Sequence, residues 1–72
     1  MIELKPIRVL RAVSDLKSFS LAARELGIAP ASATRIIAQL ERDLGTQLLV
    51  RTTRQVSLTS AGATVLAQYR PL

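Results

Sequence analysis

The chain has 72 residues, 49% of them hydrophobic, and its ten Lys and Arg residues against five Asp and Glu residues give a formal net charge of +5. The sequence contains neither cysteine nor histidine, which excludes disulfide bonds, zinc fingers and histidine-based catalysis. This length fits one domain, and the basic charge favours a polyanionic partner such as nucleic acid, although it is equally compatible with a merely solvated basic surface.

The sequence shows no targeting or membrane-spanning pattern. No basic segment leads into a long apolar run at the N-terminus, and no stretch approaches the roughly 20 apolar residues of a membrane span. We therefore expect a cytoplasmic protein with no membrane partner.

Two helices are predicted at the start of the chain. Apolar residues that recur at about every third position predict an amphipathic helix over about 6–16. A second, short helix is predicted over about 19–26, with Ser18 or Ser20 as its cap. Gly27 is placed to end this helix in the left-handed conformation.

The third helix has the strongest periodic signal in the sequence. Pro30 stands at the favoured first position of the helix, and Gly45 is placed to terminate it. Between them runs a stripe of apolar residues that is expected to face inward. The stripe consists of Ala33, Ile36, Ile37, Leu40 and Leu44.

A hairpin and a fourth helix are predicted after Gly45. Two short β-prone runs, 48–50 and 56–58, are separated by a polar stretch without an Asn-Gly or Asp-Gly pair, which favours a loop longer than two residues. Thr59 is expected to cap a fourth helix that continues until Pro71. The apolar side of this helix carries Val65, Leu66 and Tyr69.

This order of elements predicts a mainly α fold, a winged helix-turn-helix with a three-helix core and a two-stranded wing over residues 1–59. The turn between the second and third helices supplies the detail. Ala23 is small where the two helices cross, Gly27 provides a positive φ, and Ile28 fills the core beneath the turn.

The third helix presents an outer face that is small, polar and basic. On a helical wheel the outward residues are Ala31, Arg35, Ala38 and Arg42, flanked by Ser32, Thr34 and Gln39. A helix without bulky side chains on this face fits the major groove of DNA. Arg35 can donate a bidentate pair to guanine or contact a phosphate, while Ser32 and Thr34 lie near the helix start, where hydroxyls and backbone N–H groups suit a phosphate or a base edge.

Three further charged residues need an interpretation. Arg51 and Arg54 flank the predicted wing loop, where a cation can reach a phosphate or the minor groove. Arg54 is interpreted as a DNA contact, whereas for Arg51 a second interpretation, that it ties the wing to the core, stays open. Glu41 is interpreted as structural, because a carboxylate facing DNA would repel phosphate and an ion pair with Arg24 or a neighbour would hold the second helix to the third.

Four motifs stand along the chain: SFSLAAREL at 18–26, TRII at 34–37, LERDLG at 40–45 and LTSAG at 58–62. Together, at these spacings, they resemble the N-terminal domain of LysR-type transcriptional regulators over nearly the whole chain. The resemblance implies that the third helix reads the major groove with the hairpin as a wing beside it. It also implies that residues 60–72 start a linker helix that dimerises and leads to a ligand-binding domain.

The resemblance and the residue pattern together define a candidate site and its partners. The candidate DNA-binding residues are Ser20, Pro30, Ala31, Ser32, Thr34, Arg35, Gln39, Arg51, Thr53 and Arg54, and the candidate dimerisation residues are Val65, Leu66 and Tyr69. We expect double-stranded DNA as the partner, a homodimer or higher homo-oligomer in the full-length protein, and a monomer or weak dimer for these 72 residues as a fragment. A small-molecule effector would act only through a domain absent here, and no cofactor or metal is expected.

The sequence departs from the family pattern at several positions. Ala29 and Pro30 stand where the family often has Ser and Gln before the third helix, so the usual cap is missing. Leu10 and Leu49 stand where Phe is common, and Ser60 stands where an acidic residue often precedes the Ala-Gly pair. These departures predict altered packing and an altered sequence preference rather than a loss of DNA binding.

Two other functional classes and one neighbouring family are alternatives to a LysR-type DNA-binding domain. Some winged helices bind protein instead of DNA, and exposed apolar residues on the fourth helix would suit an interaction module of that kind. An enzyme is disfavoured because no phosphate-binding loop, metal-ligand cluster or nucleophile and base pair is visible. Among DNA-binding proteins, the molybdate-responsive regulators carry a similar winged domain and are the nearest alternative.

Overall fold

The computed structural model describes residues 4–52 and 55–69, and these form a three-helix core, a two-stranded hairpin and a fourth helix. The elements are α1 (Leu4–Leu16), α2 (Phe19–Leu26), α3 (Pro30–Leu44), β1 (Leu49–Arg51), β2 (Val56–Leu58) and α4 (Ser60–Gln68). The prediction of a mainly α winged helix-turn-helix is therefore confirmed. No helix in the described part of the chain is long and apolar enough to cross a membrane.

The predicted bounds of α2 are confirmed at both ends. Ser18, and not Ser20, is the N-cap, because its Oγ accepts a hydrogen bond from the Leu21 N–H at 3.1 Å. Gly27 ends the helix with φ 72°, and the next residue, Ile28, donates its N–H to the Ala23 carbonyl at 2.9 Å. The tight turn into α3 is thus made by the backbone conformation that glycine adopts without steric cost.

The start and end of α3 also follow the sequence. Ala29 is the N-cap and supplies no side-chain hydrogen bond, as expected from the missing serine, while Pro30 occupies the first turn, where no N–H is needed. Gly45 ends the helix with φ 68°. Helix α1 begins at Leu4, two residues before the predicted start, and Pro6 still lies within its first turn.

The hairpin differs from the prediction by one residue in its first strand. Strand β1 begins at Leu49 instead of residue 48. The Leu48 N–H donates to the Glu41 side chain of α3, and the Leu48 carbonyl accepts the N–H of Thr59, directly after β2. The two strands are antiparallel, and Leu49 faces Leu58 while Arg51 faces Val56. The loop that follows is closed by the Thr52 N–H, which donates to the carbonyl of Gln55 at 2.9 Å.

Helix α4 begins as predicted but ends earlier. The Thr59 hydroxyl caps it by accepting from the Gly62 N–H at 3.0 Å. The helix was predicted to reach Pro71, which lies outside the described residues, and it ends at Gln68. Its C-terminal carbonyls are bound from α1, because the Arg11 guanidinium donates to the Leu66 carbonyl at 3.3 Å and to the Tyr69 carbonyl at 2.9 Å.

The hydrophobic core lies between α1, α2 and α3, and the hairpin and α4 close it from the other side. The buried hydrophobic residues are Ile7, Val9, Leu10, Val13, Ala22, Ala23, Ala33, Ile37, Leu40, Leu48, Leu49 and Leu66. No polar or charged side chain among the described residues is buried. The α2–turn–α3 unit is therefore held by apolar packing on one side, and its other side is left to solvent.

The exposed turn between α1 and α2 carries backbone strain. Lys17, between α1 and α2, has φ 55° and is the only described residue other than glycine with a positive φ. The left-handed conformation costs an L-residue on the order of 1 kcal/mol. The strain is local, since the next residue, Ser18, is already extended as the cap of α2.

Candidate nucleic-acid interface

The outer face of α3 has the orientation that the helical wheel predicts. Its inward side buries Ala33, Ile37 and Leu40, and its outward side presents a mixed set of small, polar and basic side chains. The exposed members are Pro30, Ala31, Arg35, Gln39 and Arg42, and the half-buried members are Ser32, Thr34 and Ala38. The middle of this face is thus free of large apolar side chains, which suits insertion into a groove about 12 Å wide.

Arg35 lies near the middle of this face and is exposed. It forms no hydrogen bond or ion pair with any residue in the described ranges 4–52 and 55–69. All five N–H donors of its guanidinium are therefore open to an external acceptor. A planar group with this donor pattern matches either guanine or a phosphate.

Gln39 and Arg42 are in contact with each other, in contrast to Arg35. The Arg42 Nη2 donates to the Gln39 Oε1 at 2.8 Å, and the Gln39 Nε2 donates to the Asp43 Oδ1 at 2.8 Å. This network is not among the features predicted from the sequence, although the spacing of three and four residues on one helix is a signal for it. Since all three side chains are exposed, each of these hydrogen bonds stabilises the helix by only about 0.2–0.5 kcal/mol. Gln39 can therefore give up these bonds at little cost and bond to a base.

The start of α3 is open, because no side chain caps it. Its first backbone bonds run from the Ser32 N–H and the Ala33 N–H to the Ala29 carbonyl, at 3.0 and 3.1 Å. Pro30 and Ala31 lie exposed at this end, and Ser32 is half-buried beside them. The remaining candidate on the helix-turn-helix unit, Ser20, is exposed on α2.

On the hairpin, Arg51 is described in full, whereas Thr53 and Arg54 lie outside the described residues. The Arg51 Cζ lies 4.1 Å from the centroid of the Phe19 ring, so the end of β1 touches the first residue of α2. This contact supports the interpretation that Arg51 ties the wing to the core. Phe19 is not among the predicted site residues, and no local sequence pattern pairs it with Arg51.

Glu41 is structural, but its predicted partner was wrong. The Glu41 Oε2 accepts hydrogen bonds from the backbone N–H groups of Leu48 at 2.7 Å and of Leu49 at 3.3 Å. No ion pair with Arg24 is present in the described part of the structure. The carboxylate therefore holds the base of the hairpin to α3 and does not join α2 to α3.

The candidate dimerisation residues pack largely inside the domain. Leu66 is a member of the buried core, and Val65 and Tyr69 are half-buried against the same core. Little apolar area of these three residues is left for a partner, so the predicted dimer contact stays a prediction. No group of His, Cys, Asp and Glu side chains within the described residues could hold a metal ion.

A family model with the description "Bacterial regulatory helix-turn-helix protein, lysR family" matches residues 4–63. The chain belongs to the LysR family. Among curated relatives, this LysR-family chain is 49% identical over 63 residues to the uncharacterized HTH-type transcriptional regulator y4mQ of Sinorhizobium fredii, covering 88% of this chain and 21% of the relative. It is 42% identical over 70 residues to the HTH-type transcriptional regulator TtuA of Agrobacterium vitis, covering 97% and 23%.

Solved structures of similar fold include complexes with DNA. The CbnR_DBD-DNA complex superposes with a TM-score of 0.88 at 33% identity, covering 93% of this chain and 77% of that one. The BenM_DBD/catB site 1 DNA complex superposes with a TM-score of 0.86 at 41% identity, covering 94% and 75%. These matches favour neither a protein-interaction module nor a molybdate-responsive regulator.

Proposed function

We propose that this LysR-family domain binds double-stranded DNA sequence-specifically, with α3 in the major groove and the β1–β2 hairpin beside it as a basic wing. The observation that carries the proposal is the outer face of α3, where Arg35, which has no partner among residues 4–52 and 55–69, stands among small side chains. The two solved relatives that are complexes with DNA support it. The proposed contacts are Ser20, Pro30, Ala31, Ser32, Thr34, Arg35, Gln39, Arg51, Thr53 and Arg54.

The chain spans about a fifth of the length of the curated relatives it matches, 21% and 23% for the two described above. We propose that residues 1–59 are the DNA-binding domain of a longer cytoplasmic regulator and that residues 60–72 start its linker helix. In that protein, pairing of two copies would place two reading heads on successive half-sites. A small-molecule effector would bind elsewhere in it, and the domain itself would have no catalytic role.

Binding to DNA of random sequence is expected to weaken steeply as salt increases. Each phosphate that a Lys or Arg neutralises releases counterions, which gives a log–log slope of about −0.9 per contact. Fluorescence anisotropy of a labelled random-sequence duplex, titrated over a salt series, measures this slope. A flat salt dependence would contradict the proposal and favour the protein-interaction module.

Replacing Arg35 with alanine is expected to lower the affinity for a duplex selected by the wild-type protein by about tenfold. The loss on a random-sequence duplex should be smaller, since base contacts contribute only to specific binding. Arg8→Ala is the matched control, because Arg8 is exposed on α1 and the variant loses the same charge. Equal losses for the two variants on the selected duplex would remove Arg35 from the base-reading face.

A further inference from the structure

The hairpin is connected to the helix-turn-helix unit at two separate places. At its base, the Glu41 carboxylate on α3 binds the N–H groups of Leu48 and Leu49. Beside the loop, the Arg51 guanidinium lies over the Phe19 ring on α2, with its Cζ 4.1 Å from the ring centroid. A guanidinium within about 6 Å of an aromatic centroid is attracted to the ring. The second connection therefore acts on the end of the wing that lies next to the loop.

The hairpin needs such a connection because it is small. Each strand has three residues, and an isolated two-stranded hairpin of this kind is at best marginally stable in water. Strand β2 packs against α1 and α4. Within the described residues, the Arg51–Phe19 contact is the one ring–cation contact between the hairpin and α2.

Phe19 is itself firmly held. It is the first residue of α2, directly after the Ser18 cap, and it is half-buried against the hydrophobic core. Its backbone and ring are therefore fixed by the helix start and by packing. A side chain that rests on this ring therefore takes its position from α2.

Arg51 keeps its hydrogen-bonding capacity while it rests on Phe19. It is exposed, and none of its donors is bound to a residue in the described part of the chain. Nor is its charge neutralised by an ion pair there. A guanidinium that is already oriented loses less conformational entropy when it binds an acceptor, and phosphate oxygens are the commonest acceptors on DNA.

We propose that Phe19 is a positioning residue for DNA binding, whose ring holds the Arg51 guanidinium ready to bind a backbone phosphate. This proposal rests on the proposed function. It combines the two interpretations of Arg51, as a tie between the wing and the core and as a DNA contact, because the contact with Phe19 orients Arg51 for binding to DNA. Phe19 does not touch the DNA in this scheme and acts through Arg51.

A double-mutant cycle with Phe19→Leu and Arg51→Ala tests the proposal. Leucine keeps an apolar side chain for the core but removes the aromatic face, so Phe19→Leu is expected to weaken binding to a labelled random-sequence duplex about two- to fivefold. Its salt slope should equal that of the wild type because the charge remains. Arg51→Ala removes one phosphate contact and should reduce the magnitude of the log–log salt slope by about one. In the Arg51→Ala background, Phe19→Leu should cost nothing further.

Two control variants separate positioning from stability. Phe19→Tyr keeps the aromatic ring, so its affinity for the duplex should lie within about twofold of the wild-type affinity. Leu44→Ala removes a half-buried core side chain at the far end of α3 and should leave binding of the folded protein unchanged. All variants are compared at a temperature at which circular dichroism shows them folded.

The contact is also measurable without DNA. In the free wild-type protein, the ring current of Phe19 should shift the Arg51 Hδ resonances upfield, and Phe19→Leu should abolish that shift. Absence of the shift in the wild type would overturn the proposal. If the wild type binds DNA but the costs of Phe19→Leu and Arg51→Ala add, Phe19 is only a core residue and the proposal alone fails. If the wild type does not bind DNA, the proposed function fails as well.

Discussion

Replacement of Gly62 with alanine is expected to destabilise the domain by about 3 kcal/mol or more. Gly62 is buried in the first turn of α4, where the helix crosses the hairpin. A Cβ at this position would overlap the Leu48 carbonyl oxygen and would lie 2.8 Å from the Leu58 Cδ2. The carbonyl cannot easily move aside, because it accepts the Thr59 N–H at 3.0 Å.

The sign of the stability change on Gly62→Ala distinguishes a glycine that a neighbouring backbone approaches closely from a glycine at an open helical position. At an open helical position, alanine would stabilise the protein by about 1 kcal/mol relative to glycine. Gly45→Ala is the matched control, since a Cβ there meets nothing within 4 Å and only the φ of +68° opposes it, at a cost of about 1 kcal/mol. Urea unfolding monitored by circular dichroism measures both variants. A Gly62→Ala protein as stable as the wild type would mean that α4 and the hairpin lie further apart.

Local sequence patterns are sufficient to predict the structure of the helix-turn-helix unit. The apolar stripe and the two glycines Gly27 and Gly45 each act within a few residues and appear in the structure as predicted, and the cap of α2 is Ser18, one of the two predicted candidates. The outward face of α3 follows from the same periodicity, so the exposure of Arg35 could also be predicted. These features are set by backbone geometry and by the position of the apolar side chains along one helix.

Features that depend on contacts between distant elements could not be predicted in the same way. The base of the hairpin is bound to Glu41 of α3, through the N–H groups of Leu48 and Leu49 seven and eight residues later. The end of α4 is bound by Arg11 of α1, 55 and 58 residues away along the chain. The packing of Val65, Leu66 and Tyr69 against the domain's own core also depends on such contacts, and their predicted role in a dimer stays a prediction.

The candidate site also combines features that the local sequence predicts with features that depend on contacts in the folded chain. The sequence pattern identifies which side chains of α3 face outward, but it does not show which of them are already bound to a neighbour. Arg35 has no partner among the described residues, whereas Gln39 bonds to both Arg42 and Asp43. For Arg51 the pattern left two interpretations open, and only the position of Phe19 in the folded chain relates them.

Glu41→Ala is expected to destabilise the domain by about 3 kcal/mol, although Glu41 belongs to neither the core nor the proposed DNA contacts. Its carboxylate accepts the N–H groups of Leu48 and Leu49, and hydrogen bonds to charged groups contribute about 1.5–3 kcal/mol. Leu48 is fully buried, so its N–H cannot turn to water when the acceptor is removed. The hairpin would also lose its attachment to α3.

Two variants make the prediction specific. Glu41→Gln keeps an oxygen acceptor without the charge and should cost only about 1 kcal/mol, because a neutral hydrogen bond replaces a charged one. Asp43→Ala removes a carboxylate from the exposed side of the same helix and should cost less than about 0.5 kcal/mol. Urea unfolding ranks the three proteins, and amide hydrogen exchange should show that the Leu48 N–H loses its protection in Glu41→Ala. The Leu48 amide could instead stay protected in Glu41→Ala, with that protein no less stable than Asp43→Ala. In that case another group accepts the hydrogen bond, and Glu41 does not hold the wing to α3.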